Sequence, residues 1–253
     1  MEYLTMIEKS VFNKDLAASW TEFVDCPQRL KTLSSFLEKH LSKHKKGILF
    51  DAALGIGCES IFLTQRGYNV ISNEIDDTLI RIANESAIAN CVRLEIIKQD
   101  WRELDYDSYF FDGMFLLGNS LCLLDNLEDI RLSLKNFFDA LKYGGTFIVD
   151  ERNFPYIMGH KQEILNGNFR YSGKYLYCGK KIKGIPIEIY ENEIRFGYYN
   201  NNNLIGSLKM YPFKKGELKD LLHEVGFTIV KQYSDFKEGY SDQADFLFYV
   251  AIK

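Results

Sequence analysis

The sequence predicts an α/β fold: a doubly wound, mostly parallel sheet of seven strands with an antiparallel β insert. Three observations predict it. Between residues 47 and 153, short apolar runs alternate with segments of helical periodicity. Polar clusters follow these runs at the points where the strands should end. Residues 154–211 break the pattern, because apolar and polar residues alternate there as in antiparallel strands.

The composition excludes several classes of protein. The chain has 253 residues, of which 46% are hydrophobic and 26% charged, and its formal net charge is −4. This charge gives no electrostatic footprint for nucleic acid, and no apolar run approaches the roughly 20 residues that cross a membrane. The first residues lack the features of a signal peptide. We therefore expect a cytoplasmic protein with no nucleic-acid or membrane partner; homo-oligomerisation stays open.

The cysteines show neither a C-x-x-C pair nor a zinc spacing. They are Cys26, Cys58, Cys91, Cys122 and Cys178. An odd, scattered set is typical of buried free thiols in a reducing compartment. We accordingly expect structural cysteines and no metal site.

The N-terminal residues 1–46 are predicted to be helical and to cap the active site. Leucines and a phenylalanine within residues 29–41 form one apolar face. The basic residues 43–46 then suit the last turn of a helix.

The predicted core covers residues 47–153 and 212–253. Five parallel strands are expected at residues 48–50, 68–73, 93–97, 109–117 and 146–149. Helices are expected between them at residues 58–66, 76–90 and 127–141, the second with Asp76 as its N-cap. The two C-terminal strands, 227–233 and 244–252, have no helix between them, so we expect the last strand to be antiparallel.

The insert, residues 154–211, is predicted to begin with a helix over 154–165, with Pro155 in its first turn. Strands should follow over residues 169–211, and Asn200–Asn203 should form a hairpin turn.

A glycine motif and a distant glutamate indicate the ligand. Gly55 and Gly57 lie between a strand and a helix, where the chain must turn sharply. Ser60 replaces the third glycine of G-x-G-x-x-G, and the absence of Lys-Ser/Thr excludes a P-loop. Alone, the glycines fit a structural turn equally well. Glu74 follows Gly55 by 19 residues, at the end of the next strand, where a carboxylate can accept from both ribose hydroxyls. The ligand is therefore expected to contain adenosine.

This combination resembles class I S-adenosylmethionine-dependent methyltransferases, and three further segments narrow the resemblance. Residues 117–124 are similar to the G-N-S segment of glycine/sarcosine N-methyltransferases, and residues 149–157 to their D-H-R-N-Y-D-x-I segment. Residues 234–253 are similar to their C-terminal tail. The resemblance starts near Trp20 and implies a Rossmann-like methyltransferase fold. It also implies S-adenosyl-L-methionine as cofactor and methyl transfer to the amine of a small amino acid such as glycine or sarcosine.

The resemblance also implies a set of cofactor-binding residues. They are Trp20, Arg29, Asp51, Ala53, Gly55, Gly57, Glu74, Ile75, Asp100, Trp101, Leu117 and Gly118. Within this set, Arg29 would pair with the methionine carboxylate, and Asp100 and Trp101 would hold the adenine. The alternative for Trp101 is a plain core aromatic.

The same resemblance implies the acceptor-binding and catalytic residues. Asn119 and Arg152 would bind the substrate carboxylate, and Tyr211 and Tyr240 would line its pocket. A planar guanidinium suits a carboxylate because it donates two parallel hydrogen bonds. The alternative for Arg152 is an ion pair with a neighbouring acidic residue.

Several residues depart from the family pattern. They are Leu54, Ile56, Leu123, Glu151, Phe154 and Pro155. Because these changes make the acceptor pocket less polar in places, a second acceptor stays open: a different small amine or carboxylate-bearing metabolite of specialised metabolism.

The aromatic residues and the lack of a local base shape the expected mechanism. Seven of the 16 tyrosines lie within residues 171–211. They suit either a lid over a pocket that handles cations or a half-buried sheet that favours tyrosine. His160 and His223 fall in helical segments and are expected to be structural. Catalysis is therefore expected to rely on orientation of the substrate and on an aromatic pocket wall.

Two other classes of protein compete with a methyltransferase. They are a nicotinamide oxidoreductase and a cofactor-binding regulator without catalysis.

Overall fold

The computed structural model describes residues 14–169 and 181–253. Eleven strands occur in these ranges. They are β1 (Ile48–Asp51), β2 (Asn69–Asn73), β3 (Glu95–Ile97), β4 (Phe111–Leu116), β5 (Leu141–Arg152), β6 (Ile182–Ile189), β7 (Ile194–Asn200), β8 (Asn203–Met210), β9 (Ile229–Ser234), β10 (Lys237–Glu238) and β11 (Phe246–Ile252).

The helices of the same ranges alternate with the strands of the core. They are α1 (Lys14–Ala18), α2 (Trp20–Phe23), α3 (Cys26–Leu41), α4 (Cys58–Gln65), α5 (Asp77–Ala89), α6 (Leu127–Ala140), α7 (Phe154–Gly159), α8 (Lys161–Leu165) and α9 (Glu217–Val225). Single 3-10 turns lie at Ser42–His44, Trp101–Glu103 and Leu121–Leu123.

The central sheet has the strand order β10-β9-β11-β5-β4-β1-β2-β3. Strands β1 to β5 pair in parallel, and β11 is antiparallel to both β5 and β9. The expected mostly parallel sheet with an antiparallel last strand is confirmed. The two-residue strand β10 extends the seven expected strands to eight.

A separate antiparallel sheet, with the order β6-β7-β8, forms from the insert. Its β7–β8 hairpin turns between Asn200 and Asn203, as predicted. The predicted helix over 154–165 is instead two short helices, because the backbone of His160, with φ −112° and ψ 23°, departs from the helical conformation. Three of the seven tyrosines, Tyr171, Tyr175 and Tyr177, lie outside the described residues.

The long N-terminal helix α3 lies on the face of the central sheet beside β9 and β11. Its Phe36 ring is 5.1 Å from the ring of Tyr233 and 5.5 Å from that of Phe248. Asp25 caps the helix, since its side chain accepts from the backbone N–H of Gln28. This packing places the first turn of α3 beside the carboxyl ends of the parallel strands.

A disulfide between Cys26 and Cys58 corrects the expectation that all the cysteines are free thiols. The two Cα atoms are 5.4 Å apart, within the range that a disulfide spans. The bond joins the first residue of α3 to the first residue of α4, which are 32 residues apart in sequence. Cys91 and Cys122 are free, and Cys178 lies outside the described ranges.

Within residues 14–169 and 181–253, the structure has neither a membrane-spanning helix nor a cluster of potential metal ligands. None of the helices in these ranges is long and apolar enough to cross a bilayer. Within the same ranges, no group of three or more His, Cys, Asp or Glu side chains is arranged to hold a metal ion.

Candidate active site

The loop after β1 passes from strand to helix through two left-handed glycines. Gly55 has φ 55° and Gly57 has φ 88°, which residues with side chains rarely adopt. Among the described residues, no atom beyond the chain neighbours lies within 4 Å of a Cβ built on Gly55. A Cβ on Gly57 would lie 3.2 Å from Cδ1 of Ile61. The loop therefore leaves room for a ligand at Gly55 and packs on its own helix at Gly57.

Glu74, at the end of β2, ties this loop to the start of α5. Its Oε2 accepts from the backbone N–H of Gly55 at 2.9 Å. Its Oε1 accepts from the N–H groups of Ile75 and Asp76 at 2.8 and 3.0 Å. Burial raises the pKa of Glu74, and these hydrogen bonds only partly offset it. Because a carboxylate has about four lone-pair sites, one acceptor position remains for a hydroxyl beside the loop.

Asp51 is buried beneath the same loop. Its Oδ2 accepts from the hydroxyl of Ser60 at 2.6 Å, and its Oδ1 accepts from the N–H of Ala53 at 3.2 Å. Burial, with a smaller contribution from Glu59, raises the pKa of Asp51 to about 7. Through these hydrogen bonds, Asp51 and Ala53 fix the conformation of the loop from below.

The loops after β2 and β3 provide an apolar surface and an aromatic ring. Ile75 is 60% exposed beside Glu74. The indole N–H of Trp101 donates to the carbonyl of Ala52 at 2.7 Å. Trp101 therefore also connects the loop after β3 to the end of β1. The carboxylate of Asp100 accepts from Nε and Nη2 of Arg102, which holds the pKa of Asp100 below its usual value. A ligand of Asp100 would therefore share a carboxylate that is already ion-paired.

Arg29 of α3 reaches the carboxyl end of β4. It is buried, and its Nε donates to Oε1 of Glu59 in the first turn of α4. A Cβ on Gly118 would lie 3.7 Å from Nη2 and 3.8 Å from Nη1 of Arg29. The guanidinium therefore lies between α4 and the loop that contains Leu117 and Gly118.

Trp20 packs against aromatic rings of α2 and β7. Its ring is 4.9 Å from the ring of Phe23 and 5.5 Å from that of Tyr198 on β7. In this structure Trp20 joins the N-terminal segment to the three-stranded sheet.

Asn119 connects the ends of β4, β5 and β8. It has φ 63°, and its backbone N–H donates to Oδ1 of Asp150 at 2.8 Å. Its side-chain Oδ1 accepts from the N–H of Arg152 at 2.8 Å, and its Nδ2 lies 3.4 Å from Sδ of Met210. Asn119 and Arg152 are therefore neighbours, joined through the backbone N–H of Arg152.

The guanidinium of Arg152 is buried among aromatic rings. Its Cζ lies 4.9 Å from the ring centre of Phe196 and 4.6 Å from that of Phe246, within cation–π range. Arg152 also lines a cavity of about 910 Å³, together with residues of α7, α8 and the loop before β11. The three-stranded sheet thus contributes Phe196 to the surroundings of the candidate carboxylate ligand.

Tyr211 and Tyr240 lie toward α9 and its preceding loop. The hydroxyl of Tyr211 donates to Oε1 of Glu217 at 3.1 Å, and the Nζ of Lys215 lies 4.1 Å from the ring centre of Tyr240. Burial raises the pKa of each phenol to about 12, with further contributions from nearby carboxylates. Both phenols are therefore protonated at neutral pH.

Glu151 is a titratable residue at a position where the sequence departs from the family pattern. It is buried, and its Oε1 accepts from the hydroxyl of Tyr249 at 2.5 Å. In the part of the chain that the structure describes, no donor reaches its Oε2. Burial raises the pKa of Glu151 to about 8, and Glu217 contributes. An acidic residue inside an apolar strand was the signal that could have indicated this burial.

Comparisons with known proteins indicate the family of this chain. A family model described as a methyltransferase domain matches residues 49–145. A glycine/sarcosine N-methyltransferase of Aphanothece halophytica is 33% identical over 92% of this chain and 86% of its own length. The enzyme of that name from Halorhodospira halochloris is 32% identical over 92% of this chain and 85% of its own length.

Solved structures show the same fold. An S-adenosylmethionine-dependent methyltransferase from Clostridium acetobutylicum superposes with a TM-score of 0.72 at 14% identity. The match covers 94% of this chain and 97% of that chain.

The fold and this site define an S-adenosylmethionine-dependent methyltransferase of class I. Within that class, the chain belongs to the glycine/sarcosine N-methyltransferase family. The residues present fit the cofactor. Gly55 leaves open space, Glu74 retains an acceptor position there, and Ile75 is exposed beside it.

Proposed function

We propose that the enzyme methylates the amino nitrogen of a small amino acid such as glycine or sarcosine. The observation that carries the proposal is the buried side chain of Arg152, whose backbone N–H donates to Oδ1 of Asn119 at the carboxyl end of β5. A guanidinium suits a carboxylate ligand, because it donates two parallel hydrogen bonds that orient the carboxylate. The names of the relatives from Aphanothece halophytica and Halorhodospira halochloris support the same acceptors.

The proposed residue roles follow from placement. Gly55, Gly57 and Glu74 bind the adenosine part of the cofactor, and Arg29 binds its methionine carboxylate. Arg152 and Asn119 bind the acceptor carboxylate. Asn119 is suited to this because its Nδ2 lies against a thioether sulfur, a weak acceptor that a carboxylate oxygen can replace.

We also propose that residues 154–211 act as a lid over the acceptor and that residues 1–46 cap the site. Two contacts support the lid: Phe196 of β7 packs on Arg152, and Met210 of β8 lies against Asn119. A contact of Trp20 with Tyr198 supports the cap, since it joins the N-terminal segment to the same sheet.

The chemistry requires orientation more than acid–base catalysis. When bound, the cofactor supplies an electrophilic methyl group on a sulfonium centre. Arg152 and Asn119 fix the acceptor by its carboxylate, and the aromatic rings of Phe196 and Phe246 exclude water. With pKa values near 12, the phenols of Tyr211 and Tyr240 stay neutral and bind an amine by hydrogen bonding rather than by deprotonating it.

A larger acceptor is the second candidate, and the cavity favours it. The cavity beside Arg152 has a volume of about 910 Å³, within the range of pockets that hold drug-sized ligands. A carboxylate-bearing amine with a longer side chain would use the same guanidinium and fill this space.

A methyl-transfer assay with a panel of acceptors tests the proposal. The panel contains glycine, sarcosine, dimethylglycine, larger amino acids, and methylamine, which is glycine without its carboxylate. Transfer to glycine or sarcosine and little transfer to methylamine is expected. Transfer only to larger carboxylates would favour the second candidate, and transfer to methylamine at the rate of glycine would contradict the carboxylate role.

A further inference from the structure

We propose that Glu59 is a positioning residue for the cofactor. It holds Nε of Arg29, so that the two Nη groups of the guanidinium face the place of the methionine carboxylate. The inference rests on the proposed role of Arg29 and deepens it by naming the residue that sets its orientation.

The pair is built for a fixed orientation. The side chains of Arg29 and Glu59 are only 7% and 8% exposed, and they are joined through Nε and Oε1. A buried ion pair has little water to stabilise its charges, so its stability depends on the geometry between the two partners. Moving one partner therefore leaves the other charge poorly paired. Because the guanidinium is planar, holding its Nε also fixes the plane of both Nη groups.

The fixed plane is directed at the proposed cofactor site. Both Nη atoms lie within 3.8 Å of the position of a Cβ on Gly118, at the end of β4. Glu59 itself is the second residue of α4 and directly follows the loop of Gly55 and Gly57. The residue that orients Arg29 is thus attached to the loop that binds the rest of the cofactor.

The Cys26–Cys58 disulfide joins the same two helices, α3 and α4, that contain Arg29 and Glu59. Cys26 precedes Arg29 by one helical turn, and Cys58 directly precedes Glu59. The backbones that bear the two charged side chains are therefore covalently joined. With both backbones fixed, the length of the residue 59 side chain decides where the guanidinium points.

Two variants separate orientation from charge. Glu59→Gln keeps the length of the side chain and its acceptor oxygen but removes the charge. Glu59→Asp keeps the charge but shortens the side chain by one methylene, which withdraws the acceptor from Nε. A matched control is Glu38→Gln, which breaks the exposed pair of Glu38 and Arg66 between α3 and the end of α4.

The measurement is the ratio of two dissociation constants, obtained by calorimetry with S-adenosylmethionine and with decarboxylated S-adenosylmethionine. Glu59→Asp is expected to reduce the preference for the carboxylate-bearing cofactor about tenfold. Glu59→Gln is expected to stay within about threefold of the wild type, and Glu38→Gln to match it. Circular dichroism spectra establish that each variant is folded.

Three outcomes overturn the proposal. Equal preferences for the wild type and Glu59→Asp would remove the orienting role. A stronger preference for the carboxylate in Glu59→Gln is the sign expected if Glu59 acted by its charge alone. The third outcome concerns Arg29→Lys. If this variant keeps the wild-type preference for the carboxylate-bearing cofactor, Arg29 does not bind the carboxylate, and Glu59 then has no orienting role. Methyl transfer to glycine by the wild-type enzyme is measured in a separate assay. Failure of the orienting role of Glu59 and failure of the proposed activity therefore give different results.

Discussion

The cofactor side and the acceptor side of the active site are built in different ways. On the cofactor side, Glu74 holds the backbone of Gly55 across only 19 residues, so a short stretch of sequence makes most of the geometry. On the acceptor side, Asn119 contacts Arg152 and Met210 across 33 and 91 residues. The difference indicates that the acceptor can change by substitutions in distant segments while cofactor binding stays intact.

The strongest test of this separation is Arg152→Ala. We expect kcat/KM for the acceptor to fall about 1000-fold, because two charge-assisted hydrogen bonds to the carboxylate are lost. The dissociation constant of the cofactor should change less than about threefold, since Arg152 lies on the other side. Steady-state kinetics and calorimetry measure the two effects.

Arg195→Ala provides the control for this substitution. Arg195 lies on β7 and pairs with Glu188 and Glu193 near the surface. Its removal should leave kcat/KM nearly unchanged. A similar loss in both variants would show that the loss in Arg152→Ala comes from disturbed folding around the three-stranded sheet rather than from a missing contact with the acceptor.

Breaking the disulfide affects the cofactor side. Cys58→Ser should lower the free energy of unfolding by about 3 kcal/mol, because the bond closes a loop of 32 residues. Denaturant titration of the oxidised protein measures the change. Cys91→Ser, at an exposed free thiol, is the control and should have little effect. A selective loss of acceptor affinity in Cys58→Ser would contradict the division into two sides.

Two glycine substitutions sharpen the description of the cofactor loop. Gly57→Ala should cost about 1–2 kcal/mol of stability or more, since φ is 88° and the new Cβ would lie 3.2 Å from Ile61. Gly55→Ala meets open space but has a left-handed φ of 55°, so it should cost about 1–2 kcal/mol of stability and, in addition, weaken cofactor binding. Thermal unfolding and calorimetry distinguish the two. Equal cofactor affinities for Gly55→Ala and the wild type would mean that the ligand does not approach this glycine.

Glu151 provides a pH-dependent test on the acceptor side. Its folded-state pKa is raised to about 8, so between roughly pH 4.5 and 8 the folded state binds more protons than the unfolded state. Its contribution to stability is therefore complete at low pH and is lost as the pH rises through this window. Glu151→Gln should flatten that loss and be more stable than the wild type at pH 8 by about 1–3 kcal/mol.

Denaturant titrations at pH 5, 7 and 9 measure the effect of Glu151→Gln. The exposed Glu85, which pairs with Arg81 on α5, supplies the control Glu85→Gln. Parallel pH profiles of the wild type and Glu151→Gln would show that Glu151 is ionised in the folded protein throughout this range.

The contrast between the two sides also explains what the sequence could predict. The strand order and the glycine loop follow from local periodicity and from the spacing between Gly55 and Glu74. By contrast, the Cys26–Cys58 bond and the Arg29–Glu59 pair join segments about 30 residues apart. Neither partner carries a local signal for the other, because only the packing of α3 on the sheet brings them together.

On the acceptor side, sequence motifs indicated Asn119 and Arg152 but not their aromatic neighbours. Phe196 reaches Arg152 because the insert folds its own sheet over the end of β5. The break at His160 was also missed, since the apolar pattern continues across it. Such features depend on tertiary contacts rather than on residue spacing.

A crystal structure of the enzyme with S-adenosylhomocysteine and sarcosine tests the central claim most directly. The account predicts the ribose at Glu74 and the sarcosine carboxylate between Arg152 and Asn119, with the amine facing the cofactor sulfur. A carboxylate bound elsewhere, with Arg152 still enclosed by Phe196 and Phe246, would contradict it.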